Sequence, residues 1–539
     1  MRIMLIRPPI YSKNLRYPAG PRFGLPLGIL YLAAAIEQEN IEVSLYDALI
    51  DFDLNNPAKN DDGSFHIGAS WNTIIKKVKD RCPDIVGITN PFSDFFSLAI
   101  RTAIEIKKRF PGIVTVAGGP HASGAPESFF QSGMGIDYVV RGEAEKSFLR
   151  LIDALRNNRP LSSVPGLTWR DGGVMRSNAM AGFIGDLDSI PFPAYHLIEN
   201  MERYFYFTKT GFPSRFMFEY PGSEREVSLI TSRGCPFHCV FCGNHIHMGR
   251  RWRYHSADYV LRHMELLIAR YGVRHFHIED DNITLNKKRF ELILDGIISR
   301  KWNITWDTPN GVRAEGLTEE LLVKAKTSGC TYMIIGIESG NQKVLDTIIK
   351  KTLDLGEVRA AARICKKTEL DLHGFYIVGF PGETVREIQD TFRFALDLLK
   401  TNSVIPHLCL ARPLAGTELH KLCQKGNYLT DTIEPNIGSG IRNEVFPRRM
   451  IATGEFTPEL LERLTAHFNL KAMRIIVGQS VVWLLLHPLV MPIVVKKFVL
   501  DLRFGLGNAV KRIFFGGMLY KNNFLRWEAV RSQKKNHLY

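Results

Sequence analysis

Through residues 1–150, short apolar runs alternate with amphipathic stretches. RIMLI (2–6) reads as a buried strand, GILYLAAAIEQE (28–39) as a helix and VSLYDA (43–48) as a strand. DIVGIT (84–89) is a further strand and FSLAIRTAIEIKKRF (96–110) a helix. IVTVAGG (113–119) is a strand ending in two glycines, and DYVVRGEAE (137–145) is a strand running into a helix start. Such alternation predicts a doubly wound, Rossmann-like parallel sheet. Ligands of these sheets sit outside the carboxyl ends of the strands. Asn90, Gly118, Gly119 and His121 are expected there.

Residues 156–225 are punctuated by Pro and Gly, as in SIPFPAY (189–195), and read as a linker between a first domain (1–155) and a second (226–425). In the second domain a new alternation begins at VSLITS. It continues through HFHIED (275–280), ITWDTP (304–309), YMIIGIES (332–339), LHGFYIVGF (372–380) and IPHLCLARP (405–413). Six strands with intervening amphipathic helices predict a partial (β/α)6 barrel of the TIM type, with its chemistry at the strand C-termini. Residues 426–539 read as a mostly helical C-terminal region.

The 539 residues suffice for two or three cores, and 45% hydrophobic with 23% charged residues is ordinary for an α/β protein. The formal net charge is +14, spread along the chain with an excess after residue 440. No nucleic-acid module accompanies it, so no nucleic-acid partner is expected. Three of the eight cysteines fall within eight residues and five are scattered, which is not a disulfide framework. The first residues lack the apolar core of a secretory leader. A cytoplasmic protein is expected, with contact to the inner membrane face a further expectation taken up below.

The segment RGCPFHCVFCGN (233–244) spaces Cys235, Cys239 and Cys242 as C-x3-C-x2-C, directly after a strand. Three thiolates can hold three irons of a cubane and leave the fourth open. Zinc is the other reading, with His238, His245 or His247 as a fourth ligand. The segment resembles the cluster motif of the radical S-adenosylmethionine superfamily. The resemblance implies a [4Fe–4S] cluster whose open iron chelates S-adenosylmethionine and whose electron releases a 5′-deoxyadenosyl radical. It also implies that Phe241, before the third cysteine, packs near the adenine. HIEDDN (277–282) would supply Glu279, Asp280 and Asp281 to the methionine amine. GVR (311–313) and GIESG (336–340) resemble strand signatures that turn Arg313 and Glu338 inward, toward the cofactor or toward one another as an ion pair. GFPGET (379–384) resembles the family's last glycine-rich signature, with Gly379 and Gly382 close to the adenine, and RPLAGTEL (412–419) its closing P-x-x-G-T segment.

The N-terminal segments LPLGILYLAAAIE (25–37), DIVGIT, VAGGPHAS (116–123) and DYVVRGEAE resemble the cobalamin-binding domain of one large subclass. That resemblance implies cobalamin held by Thr89, Asn90, Gly118, Gly119 and His121. One departure stands out: Asp47 is followed by Leu49 where the D-x-H pattern has a cobalt-ligating histidine, so ligation from that loop is not expected. A vestigial domain that binds nothing is the plain alternative. Residues 1–234 contain only Cys82, which argues against a methylthiotransferase with a second N-terminal cluster.

Residues 475–495 carry no formal charge and are flanked by Lys471, Arg474, Lys496 and Lys497. The length suits a bilayer, but Pro488 and Pro492 favour a kinked element. Peripheral membrane contact through 475–515, a span, and a buried helical pair are all open on the sequence. The family resemblance implies cobalamin-dependent methylation of an unactivated carbon on a small-molecule or lipid-like substrate. It also implies an external electron donor such as flavodoxin or ferredoxin. Radical cyclisation or rearrangement, and a non-catalytic cobalamin- or redox-sensing module, are the alternatives.

Overall fold

The structure is a computed structural model, and it describes residues 1–12, 23–60, 63–90, 93–131, 133–180, 182–209, 225–433 and 449–486. Contacts divide the chain into two compact units. One is Met1–Phe216 with Ile230–Gly272 and Arg412–Met450; the other is Met217–Leu229 with Val273–Ala411 and Ile451–Tyr539. The cysteine segment falls in the first unit, with which it is ion-paired through Arg233 and Arg253.

In the first unit β1 (Arg2–Arg7), β2 (Glu42–Asp47), β3 (Ile85–Thr89), β4 (Val114–Gly118) and β5 (Tyr138–Val140) form a parallel sheet in the order β2-β1-β3-β4-β5. The central strands are apolar on both faces because helices cover both. The face bearing Met4, Ile6, Val86 and Ile88 packs on Ile74 and Val78 of α2 (Trp71–Arg81) and on Ala99, Ile100 and Ala103 of α3 (Phe96–Arg109). The opposite face, at Leu5 and Gly87, meets Phe148 of α4 (Ala144–Arg156), which packs on α1 (Leu27–Gln38). The strand order reverses between β1 and β3, the switch point where such sheets take their ligands.

The expected linker is not irregular. β6 (Leu167–Asp171) and β7 (Val174–Ser177) extend the sheet as an antiparallel hairpin on β5. Its turn is Gly172–Gly173 at φ +55° and +88°, the doubly left-handed pair that two-residue hairpins require. Helix α5 (Ala257–Tyr271) also belongs to this unit and is capped by Ser256, which accepts from the Tyr259 N–H at 3.1 Å.

In the second unit β8 (Glu226–Leu229), β9 (His275–Ile278), β10 (Thr305–Val312), β11 (Cys330–Glu338), β12 (Asp371–Val378) and β13 (Ile405–Leu410) pair in sequential order, all parallel. Helices α6 (Lys287–Ser299), α7 (Glu319–Thr327), α8 (Leu355–Thr368) and α9 (Val385–Asn402) connect them, as the expected six-stranded barrel requires. Thr384 and Glu387 close a capping box at the start of α9. Phe392 of α9 stacks on Phe468 of α10 (Pro458–Leu486) with centroids 4.9 Å apart.

Residues 475–486 of the uncharged segment complete α10. Ile476 is buried, and the Gln479 amide donates to the Leu399 carbonyl at 3.3 Å. Among the described residues, no helix is long and apolar enough to cross a membrane. The expected kink at Pro488 and Pro492, and residues 496–515, lie outside the described residues.

Candidate active site

The cysteine loop belongs to the first unit, and its backbone explains its sequence. Gly234 sits at φ +83°, and a Cβ there would lie 2.5 Å from the Arg251 carbonyl oxygen. Only glycine lets the chain turn into Cys235, whose N–H donates to Gly249 O at 3.3 Å. The Cys242 N–H donates to Cys239 O at 3.1 Å, closing a tight turn that presents Cys239 and Cys242 together. All three cysteines and Phe241 are half-buried, none of the cysteines is in a disulfide, and soft thiolates are the donor set of an iron–sulfur cluster. Of the three histidines weighed for zinc, His245 and His247 each turn Nδ1 to a backbone carbonyl, Cys242 O at 3.0 Å and Gly243 O at 3.3 Å. His238 is exposed. The closing segment braces the loop: the Leu419 N–H donates to Val240 O at 2.9 Å, and a Cβ on Gly416 would meet Ile246 at 2.8 Å.

The root of the loop is held by charge. Arg233 binds Glu143 at 3.3 Å and Glu145 at 2.8 Å, and Arg253 binds Glu143 at 2.7 Å, with all four side chains buried. Arg253 also donates to the Met248 and Ile184 carbonyls. The two carboxylates raise Arg233 further above its ordinary value against the cost of burial. Sequence reasoning missed this clamp, although both acids lie in the RGEAE run. Nothing in the spacing pairs them with arginines about a hundred residues away.

At the carboxyl edge of the first sheet, Thr89 ends β3 and the Asn90 N–H donates to Gly118 O at 2.8 Å. Gly119 follows at φ +120°, and a Cβ there would lie 2.5 Å from the Asn90 carbonyl oxygen. Asn90 is fully buried, yet neither amide atom of its side chain has a hydrogen-bond partner among the described residues. Such a group costs stability unless a ligand meets it, so this edge fits a polar ligand such as cobalamin. His121 follows in the short helix after Gly119. Its ring turns into the core, bonded to Ser93 at 2.8 Å and Ser128 at 3.3 Å and packed between Phe96 and Phe129. Asp47 takes a bond from Arg7 Nε at 2.7 Å and others from the Leu49 N–H and Tyr204 hydroxyl. Leu49 lies in an apolar cluster with Phe23, Phe52 and Phe207.

In the second unit, Glu279 follows β9. Its N–H donates to Leu229 O at 2.8 Å, its carboxylate accepts from the Ser228 hydroxyl, and its carbonyl accepts from Asn310 at 2.7 Å. Asp280 is buried and Asp281 half-buried. Glu338 ends β11 at φ +66°, an uncommon conformation for a residue with a side chain. It pairs with Lys351 at 2.9 Å rather than with Arg313, since Arg313 is bonded to Glu315 at 3.0 Å and to the Thr352 carbonyl. The ion pair weighed between Glu338 and Arg313 is therefore replaced by two local ones. Sequence reasoning named neither Lys351 nor Glu315, because lysine and glutamate at loop positions carry no motif.

Gly379 and Gly382 hold φ +91° and +90°. A Cβ on Gly379 would meet the end of the Leu461 side chain of α10 at 2.7 Å, a contact that leucine can relieve by shifting, so it is the left-handed backbone that favours glycine here. The Glu383 carboxylate accepts from the Gly379 and Phe380 N–H groups at 2.7 and 3.1 Å. Its burial pushes it up to about 7.

Residues 229–395 match the model of the radical SAM superfamily, and residues 22–152 match that of the B12 binding domain. The chain is 32% identical to the uncharacterized methyltransferase PH0819 of Pyrococcus horikoshii, over 80% of this chain and 84% of that one. It is 30% identical to the cytidylyl-2-hydroxyethylphosphonate methyltransferase of Streptomyces wedmorensis, over 88% of this chain and 91% of that one. In fold it is similar to the radical S-adenosylmethionine methyltransferase TsrM of Kitasatospora setae, solved with cobalamin and a [4Fe–4S] cluster, at a TM-score of 0.65 and 17% identity over 88% and 91% of the two chains. With both of its α/β sheets accounted for in this way, the chain belongs to the radical SAM superfamily and carries a B12 binding domain ahead of its radical SAM domain.

Proposed function

We propose that this radical SAM enzyme is a cobalamin-dependent methyltransferase that methylates an unactivated carbon of a small-molecule or lipid-like substrate. The observation that carries the cobalamin part is the buried, unpartnered Asn90 amide beside the Gly119 turn, at the edge where a B12 binding domain takes its ligand. Both relatives named above are called methyltransferases, which supports methyl transfer over cyclisation.

When bound, the cluster, S-adenosylmethionine and cobalamin supply reducing electrons, a carbon radical and a transferable methyl group. The chain's own residues bind and orient them. Cys235, Cys239 and Cys242 would ligate three irons, in a loop kept in register by Arg233 and Arg253 on Glu143. Phe241 would pack against the adenine. Glu279, held by Ser228, would accept from the methionine amine, with Asp280 and Asp281 adding negative charge beside it. Glu338, neutralised by Lys351, would be a hydrogen-bond acceptor toward the same ligand. Asn90 and the Gly118–Gly119 backbone would hold cobalamin at the sheet edge. An external one-electron donor of the flavodoxin or ferredoxin kind would reduce the cluster. The +14 net charge suits such an acidic partner.

The test is turnover under strictly anaerobic conditions with a chemical reductant, S-adenosylmethionine and hydroxocobalamin. Methyl transfer releases 5′-deoxyadenosine and S-adenosylhomocysteine together. A product without added methyl, formed with 5′-deoxyadenosine alone, would replace this reading with cyclisation or rearrangement.

A further inference from the structure

Inside the barrel of the second unit, a set of metal-ligand side chains serves no role described above. His275 and His277 of β9 and Asp307 of β10 are all buried, and their ligand atoms lie within 4.8 Å of one another. His275 Nε2 is 2.9 Å from Asp307 Oδ2, and His277 Nδ1 is 2.9 and 3.0 Å from the two Asp307 oxygens. Each ring also has its outward nitrogen covered. His275 Nδ1 meets the Thr305 hydroxyl at 2.7 Å, and His277 Nε2 faces Glu226 of β8 at 3.3 Å.

We infer that His275, His277 and Asp307 form a site for a divalent transition cation, zinc by its donor set, with Thr305 and Glu226 as outer partners. Three arguments carry it. The first is convergence: two imidazoles point one nitrogen each at a single carboxylate. Metal-binding histidines characteristically engage the other nitrogen with a hydroxyl, carbonyl or carboxylate, as the His275 ring does with Thr305; beside His277 Nε2 the Glu226 carboxylate lies at 3.3 Å without hydrogen-bond geometry. The second is charge. Two carboxylates and two neutral imidazoles balance a divalent cation, whereas without one the buried set carries negative charge unless an imidazole protonates. The third is size. A tetrahedral zinc with arms of about 2.0–2.1 Å needs ligand atoms roughly 3.3 Å apart. The two nitrogen–carboxylate separations need open by only a few tenths of an ångström, and the two ring nitrogens lie within 4.8 Å of one another.

The site would be structural. It ties β8, β9 and β10 together, two residues before Ser228 and Glu279 on their strands. Ser228 and Glu226 share one side of β8, and Glu279 follows β9 two residues after His277. A cation there would fix the register that sets the Ser228–Glu279 bond.

The experiment is metal analysis of the anaerobically purified full-length protein, beside a variant in which Cys235, Cys239 and Cys242 are all alanine and a second carrying Asp307→Asn. One zinc per chain is expected in the wild type and in the cysteine variant, and less than a fifth of that in D307N. X-ray absorption at the zinc edge of the wild type needs no variant, and it should show only nitrogen and oxygen neighbours. Absence of zinc from the wild type would overturn the inference. So would sulfur neighbours, or zinc lost with the cysteines and retained by D307N. Because the readout is zinc, it stands or falls apart from the proposed methyl transfer.

Discussion

Asn90 shows how one buried residue can report a ligand. Its side-chain amide is fully buried without partners among the described residues, a state that costs about 1–3 kcal/mol. Asn90→Leu, of similar size, should therefore raise the melting temperature of the cobalamin-free protein while lowering corrinoid retention at least tenfold. If both properties fall together, Asn90 supports the fold and not the ligand. Gly119→Ala meets a backbone oxygen at 2.5 Å at a φ that side chains avoid, so it should lose corrinoid and stability together. Equilibrium dialysis with hydroxocobalamin and thermal melts read both variants.

Glu383 gives a pH dependence of known sign. Burial raises its carboxyl from 4.5 to about 7, so its neutral form is favoured in the folded chain. Its stabilising contribution is complete below about pH 4.5 and is lost as pH rises through about 7. Glu383→Gln should flatten the change in melting temperature between pH 5.5 and 7.5. An unchanged slope would assign the pH dependence to another group. Signals of this kind are faint in the sequence. The strand ends at Asn90, Gly118 and Gly119, and the C-x3-C-x2-C spacing of Cys235, Cys239 and Cys242, are what the sequence offers as candidates. Burial of Glu383, and the turning of His121 toward Ser93 and Ser128, depend on packing that spacing does not encode.

At the scale of elements, period and composition named the six barrel strands and the five parallel strands of the first sheet, because strands covered by helices are apolar on both faces. The β6–β7 hairpin was missed. Val174, Met175, Arg176 and Ser177 are all exposed, so β7 shows no alternation, and the Gly172–Gly173 turn was the one signal present. The clamp of Arg233 and Arg253 on Glu143 and Glu145 joins the start of α4 to the cysteine loop. Removing one partner of a buried pair costs about 3–5 kcal/mol. Glu143→Gln should therefore destabilise the first unit by that order in denaturant unfolding and halve the iron content or worse. Iron content unchanged in a destabilised protein would show that the clamp serves the fold alone.

At the scale of the whole molecule, the residues proposed to hold the cofactors fall in two separate units. The cysteines and the B12 edge lie in the unit built on the first sheet, and the acidic strand ends in the unit built on the second. The sequence order of motifs did not reveal this, since Cys235 follows the first barrel strand in the chain. Membrane contact through 475–515 rests on the charge pattern of the sequence, and flotation with anionic vesicles tests it; a protein left wholly at the bottom of the gradient would discard it.

The account turns on whether both cofactors occupy one chain. The measurement is iron, sulfide and corrinoid content of protein purified anaerobically from cells supplied with cobalamin, with the visible spectrum of the same sample. About four irons, about four sulfides and about one corrinoid per chain are predicted. Four irons without corrinoid would leave the radical chemistry standing and contradict cobalamin-dependent methyl transfer.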